Sequence, residues 1–207
     1  MNRRDLVLDA MLELMKEKSN MSVSNIAKRA GIAKGGIYYY FSSKEEILSA
    51  LIDRSYDLII ENCKMTLKQS EEDALTKFRL LYTSFFCQQV NSEIDSYLHL
   101  PQNAGLHKKA LSKILTDISP VLAEILKARV DERCFDCEFP EEYAEIILSV
   151  FTFLLDPGIF NWSLEKISKK IKVLAGLLER GLIIPPGSMS FLYELNVTCS
   201  DSMLIIP

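Results

Sequence analysis

Ser22-Val23-Ser24-Asn25-Ile26-Ala27-Lys28-Arg29-Ala30-Gly31-Ile32-Ala33-Lys34-Gly35-Gly36-Ile37-Tyr38-Tyr39-Tyr40-Phe41 is the stretch on which the reading of this chain turns. Val23, Ile26/Ala27 and Ala30 recur at helical spacing over a short segment. Gly31 then interrupts, as a residue that accepts positive φ at a helix end does. A second short segment follows, with Ala33, Ile37 and Tyr40 on one side. Two short helices hinged at a glycine, with the small Ala27 where they must cross closely, have the plan of a helix-turn-helix. In that motif the second helix lies in the major groove of DNA and the first braces it.

The second helix is oddly composed for a purely structural element. Gly35 and Gly36 stand side by side, and each costs about 1 kcal/mol relative to Ala inside a helix. That cost makes sense if the backbone must approach another surface closely. Lys34 offers a cation for a phosphate or a base edge, and the phenols of Tyr38 and Tyr39 can donate to phosphate oxygens. Ser43, just before the next helix, leaves backbone N–H groups and Lys44 to hold a further phosphate.

Outward from this motif the apolar spacing stays helical. Leu6/Val7, Ala10/Met11 and Leu14/Met15 form one face of a preceding helix. Ser42-Ser43-Lys44-Glu45-Glu46 offers a capping box in either of two registers, Ser42 with Glu45 or Ser43 with Glu46. It opens a long helix with a buried stripe at Ile47/Leu48, Leu51/Ile52, Tyr56, Ile59 and Cys63. Further amphipathic helices are predicted over roughly 72–91, 103–117 and 120–133, with Pro101 and Pro120 at starts or breaks. Pro140-Glu141-Glu142 starts a helix that runs to Leu155 and is apolar nearly all round, which requires cover on more than one side. A last long helix over 164–180 sets Leu164, Ile167, Ile171, Leu174, Leu177 and Leu178 against a face of lysines, and Gly181 closes it. No strand-like alternation competes before the tail, so the fold class is all-α. Three parts follow: 1–46 as a helix-turn-helix DNA-binding domain, 47–182 as a larger helical domain, and 183–207 as a tail without an assigned role.

The bulk properties permit this reading. The chain has 207 residues, 48% of them hydrophobic and 25% charged, as a soluble globular protein does. Its net charge of −4 disfavours a nucleic-acid partner only at first sight, because phosphate contacts depend on the local field. Residues 1–50 carry eight Lys or Arg against six Asp or Glu, leaving 16 against 22 in the remainder. Five scattered cysteines point to a reducing compartment. The charged start and the lack of a long apolar run predict a cytoplasmic protein without a membrane span.

In order and spacing the motif resembles the TetR family of bacterial repressors. Ile26-Ala27, Ala30-Gly31, Ala33-Lys34-Gly35, Ile37-Tyr38-Tyr39-Tyr40-Phe41 and Ser43-Lys44-Glu45 all fall where that family's DNA-binding half has them, over about residues 6–52. The resemblance implies DNA-facing positions at Ser24, Ala33, Lys34, Gly35, Gly36, Tyr38, Tyr39 and Lys44. Ala33 stands where a Ser or Thr commonly caps the recognition helix, and Gly36 where Thr is common; both departures remove a hydroxyl. The resemblance further implies a homodimer on a palindromic operator, paired through the last two long helices, with Ile147, Phe151, Leu154, Ile167, Ile171, Leu174 and Leu178 at the seam. The alternative for helix 141–155 is the central buried helix of a monomer. A small-molecule effector, hydrophobic or aromatic, is implied in the regulatory half, with Phe78, Tyr82, Phe85, Phe86, Gln89, Tyr97 and Phe151 as candidate lining residues.

Other classes find less support. No nucleophile elbow, P-loop, dinucleotide or HExxH signature is present, and two histidines leave little acid–base machinery for an enzyme. Cys134-x-x-Cys137 is half of a zinc or redox pattern without its other half, so plain thiols are expected, with neither cofactor nor metal. His99 and His107 flank a Pro-Gln-Asn-Ala-Gly loop, where contact with a ligand or metal is one reading and satisfied or solvent-facing side chains the favoured one. A helical interaction module that has lost DNA binding is the alternative function.

Overall fold

A computed structural model describes residues 2–87, 92–127 and 136–194. Helices make up its regular structure, and among the described residues there is no strand. The elements are α1 (Arg3–Lys16), α2 (Val23–Ala30), α3 (Lys34–Tyr38), α4 (Lys44–Gln69), α5 (Ala74–Tyr82), α6 (Ser92–Leu98), α7 (Ala104–Lys127), α8 (Pro140–Ser149) and α9 (Leu164–Gly181). A π-helical turn, Thr83–Cys87, extends α5, and another, Val150–Leu154, extends α8. By packing the chain divides into two units: Met1–Leu58 with Val90–Ala110, and Ile59–Gln89 with Leu111–Pro207. This division interleaves segments that a sequential partition at residues 46 and 182 keeps apart. No helix among the described residues is long and apolar enough to cross a membrane.

In the first unit, α1 buries Val7, Leu8, Ala10, Met11, Leu14 and Met15. Against that face pack α2 and, from later in the chain, α6. α4 adds Ile47, Leu48, Leu51 and Ile52 to the buried set. Ion pairs rim this unit: Arg54 to Asp9 at 2.8 Å, and Lys109 to Asp53 at 2.7 Å.

α7, whose residues from Leu111 on belong to the second unit, runs unbroken from Ala104 to Lys127 with Pro120 inside it, whereas a break was expected there. Pro120 is exposed, so its ring faces water and the helix loses one internal N–H donor without burying an unsatisfied group. α8 starts at Pro140 with Glu141 and Glu142 in its first turn, and Lys127 at the end of α7 reaches Glu141 at 2.6 Å. At Val150 the helix widens: Leu155 N–H bonds back to Val150 O at 3.0 Å, a π spacing. The Trp162 indole N–H then donates to Leu154 O at 2.9 Å, satisfying a carbonyl at the frayed end.

The start of the tail is part of this core. Met189, Phe191 and Leu192 are buried. Glu179 holds the turn before them, accepting the N–H groups of Gly187 and Met189 at 2.9 Å each. Phe191 meets Phe78 and Tyr82 edge-on, and the Tyr82 hydroxyl donates to Leu192 O at 2.9 Å. Phe191→Ala is therefore expected to cost about 3–5 kcal/mol in urea unfolding, as truncation of a core aromatic does. A solvated tail would give a change under about 0.5 kcal/mol.

Candidate nucleic-acid interface

The segment from α2 through α3 is built as two short helices about a left-handed turn. Ser22 caps α2, its Oγ accepting the Asn25 N–H at 3.2 Å, and the Asn25 side chain donates to Asn20 O at 2.9 Å. Gly31 ends α2 at φ +67°, and the Ile32 N–H returns to Ala27 O at 3.1 Å, so the chain reverses within three residues. Ile26, Ala27 and Ile37 are buried beneath the crossing. α3 has only five residues, and Ala33 gives it no side-chain cap.

An ion-pair clamp fixes α2 on α1. Both guanidinium nitrogens of Arg29 meet the Glu17 carboxylate, at 2.8 and 2.7 Å, and one also meets Glu13 at 3.1 Å. The hydrogen bond from Arg29 holds Glu17 below the usual carboxylate range, while Glu17 and Glu13 raise the guanidinium further. Arg29 is thus spent on structure, and no sequence signal distinguished it from Lys28. On the other flank Arg4 lies over the ring of buried Phe41, 5.2 Å from its centroid.

The start of α4 resolves the capping register in favour of Ser43 with Glu46. Ser43 Oγ accepts the Glu46 N–H at 3.2 Å. The Glu46 carboxylate reaches back one residue further than a capping box requires, accepting both the Ser42 hydroxyl and the Ser42 N–H at 2.6 Å. A carboxylate therefore occupies the Ser42 amide, just ahead of the helix start.

The outer surface of this assembly carries the sequence-derived positions. Ser24, Ala33, Lys34, Gly35, Tyr38 and Tyr39 are exposed, and Gly36 and Lys44 are half-buried. Tyr38 is 51% and Tyr39 82% exposed, which leaves two large phenols in water. A Cβ built on Gly35 or on Gly36 meets nothing within 4 Å. Nothing among the described residues therefore requires glycine at either place, and neither has the positive φ that would favour it.

The sequence and structural relatives agree with this geometry. The family profile "Bacterial regulatory proteins, tetR family" matches residues 7–51, and "Tetracyclin repressor-like, C-terminal domain" matches residues 87–176. The chain belongs to the TetR family of transcriptional regulators. One relative, the "Fatty acid metabolism regulator protein" of Bacillus subtilis, is 31% identical over 125 residues, 58% of this chain. That alignment spans 64% of the relative, so this chain covers less than two thirds of its length. Among solved structures, the fatty acid degradation regulator FadR of Bacillus halodurans superposes with a TM-score of 0.58 at 22% identity, covering 88% of this chain and 95% of that one. The reduced form of E. coli NemR gives 0.55 at 17% identity, covering 89% and 97%. At these identities the two structures speak for the fold.

The remaining expected positions of this TetR-family chain are scattered. Phe78, Tyr82, Phe85 and Phe151 are buried in the second unit. Of these, Tyr82 lies 5.2 Å from Phe151, centroid to centroid, and Phe191 from the tail joins the cluster. Tyr97 is half-buried in the first unit. Gln89 and Cys134 lie outside the described residues, as does the Phe86 side chain. Cys137 is described, and burial pushes its thiol up, as burial pushes that of Cys63 up to about 11.

Most of the residues expected at a seam lie in the protomer's own interior. Ile147, Phe151, Ile171, Leu174 and Leu178 are buried within the protomer, and Leu154 and Ile167 are half-buried. The exposed apolar residues on these helices are instead Ile146, Phe153, Leu164, Val173 and Leu177.

The Glu46 contacts carry a pH signature. Ser42, by its hydroxyl and then its N–H, lowers the Glu46 pKa below the ordinary 4.5. A lowered carboxylate stabilises the fold above its unfolded pKa and loses that contribution as pH falls through the folded value. Glu46→Gln should thus lower the melting temperature at pH 7, and the gap to wild type should close as the pH is taken below 4.5.

Proposed function

We propose that this TetR-family chain is a homodimeric repressor that binds a palindromic operator, one α3 per half-site, and is released by a small hydrophobic or aromatic effector. The observation that carries the DNA-binding half is the pair Gly35–Gly36. Their cost in helix stability has no counterpart inside the protein, because a Cβ at either would meet only open space. A close approach to an outside surface accounts for it. Lys34, Tyr38 and Tyr39 on the same short helix supply donors suited to phosphates and base edges, with Ser24, Ala33 and Lys44 beside them.

Dimerisation is supported by the apolar residues that a solitary protomer leaves in water. Ile146 and Phe153 on α8 and its extension, and Val173 and Leu177 on α9, are each more than half exposed. Apolar stripes of that kind on neighbouring elements mark association surfaces. Two copies related by a two-fold axis would match a two-fold operator. The effector reading rests on the aromatic set Phe78, Tyr82, Phe85 and Phe151, with Phe86, Gln89 and Tyr97 as further candidates. The relative named as a fatty acid metabolism regulator makes an acyl compound a sensible first probe.

The experiment is fluorescence anisotropy against DNA from upstream of the gene, with unrelated DNA as competitor and a salt titration. Replacing both Gly35 and Gly36 by Ala should stabilise the free protein, by up to about 1 kcal/mol per site, while weakening operator binding at least tenfold. Stabilisation with unchanged binding would overturn the assignment of α3 as the reading element. For the dimer, Val173→Glu with Ile146→Glu should yield a folded monomer in sedimentation, since neither side chain contributes to the buried core. A variant that remains dimeric would place the interface elsewhere.

A further inference from the structure

We propose that His99 and His107 form a binding site for a divalent transition-metal ion of the zinc, cobalt or nickel class. The two imidazoles lie edge to face with ring centroids 4.9 Å apart. A nitrogen of one lies within 4.8 Å of a nitrogen of the other. His107 is buried, in the first turns of α7, and His99 follows the end of α6. Neutral imidazole is the commonest protein ligand for borderline ions of this kind. With metal–nitrogen bonds of about 2.0–2.1 Å, two nitrogens on one ion can be at most about 4.2 Å apart. A small rotation of the more exposed His99 ring therefore closes the pair.

The segment between the histidines is held rather than loose. His99 N–H bonds to Asp95 O at 3.1 Å, and Leu100 N–H to Tyr97 O at 3.3 Å. Pro101–Asn103 forms a 3-10 turn, closed by Asn103 N–H to Leu100 O at 2.8 Å. The Asn103 side chain, itself buried, donates to Tyr97 O at 2.7 Å. These bonds fix the end of α6 against the start of α7, so most of the ordering that two ligands need is already present in the fold. Asp95 Oδ2 lies 3.9 Å from His99 Nδ1. At that distance the carboxylate makes no direct hydrogen bond to the ring, but its negative charge favours a cation nearby. Water would complete the coordination. α6 also packs on α1, within the unit that carries α2 and α3, so an ion here would bear on the helix that braces the reading head.

The test uses the full-length protein stripped with EDTA and titrated with Co2+, reading stoichiometry by equilibrium dialysis and ligand type by visible absorption. The expected result is one ion per protomer with a d–d spectrum and no thiolate charge-transfer band. His99→Gln and His107→Gln should each weaken binding more than tenfold, and Asp95→Asn should weaken it by less than either. Cys137→Ser should leave it unchanged. Far-UV circular dichroism accompanies each variant; should His107→Gln fail to fold, His99→Gln at the less buried position decides. Absence of stoichiometric binding, a thiolate band, or equal binding by wild type and His99→Gln overturns the proposal.

Discussion

The left-handed turn at Gly31 is the constraint on which the reading head rests. A five-residue helix has no stability of its own, because it spends its ordering entropy on too few hydrogen bonds. α3 exists because the chain leaves α2 at φ +67° and returns at once over Ala27 and Ile26, where Ile37 is buried. An L side chain at residue 31 would strain that turn, and a larger residue at 27 would push the two helices apart. Arg29 adds the second fixed point by tying α2 to Glu13 and Glu17 on α1. With α2 held from below and the turn fixed at its end, the outer face of α3 has one orientation.

That face was legible in the sequence because its determinants are local. A positive-φ glycine, a small crossing residue and a short amphipathic run are each fixed within a few positions of chain, and they coincide in one stretch. The all-α class was legible for the same reason. The two glycines after Lys34 were conspicuous in composition, but only the open space around their missing Cβ atoms excludes an internal reason for them.

What was not legible depends on geometry that the spacing of apolar residues does not determine. α8 and α9 are apolar on more than one side, so periodicity could not separate the side facing the protomer's core from the side facing away. The π turn at Val150–Leu154 adds to this by shifting the register partway along the helix. Pro120 read as a break because nothing in the sequence tells a buried proline from one whose ring faces water. The tail past Gly181 lacked a period, yet Met189, Phe191 and Leu192 fill a core whose other members lie far away in the chain. His99 and His107 stood out in the sequence as flanking one loop, but their ring contact follows from the bonded turn at Pro101–Asn103, which spacing alone does not give.

Charge and shape also work together on α3. A cation is drawn to a phosphate across roughly 8–10 Å of salt solution, so lysines attract DNA before contact is made. A phenol carries no charge and gains nothing until its hydroxyl is at hydrogen-bond distance, about 2.5–2.7 Å from an anionic oxygen. With Arg29 held by Glu13 and Glu17 and the whole chain at −4, the segment is sparing in free cations and rich in exposed phenols. Donors of this short range are useful only where the backbone can come close. Gly35 and Gly36 leave open space where a Cβ would stand, so in the proposed complex the glycines would permit the approach on which Tyr38 and Tyr39 would depend.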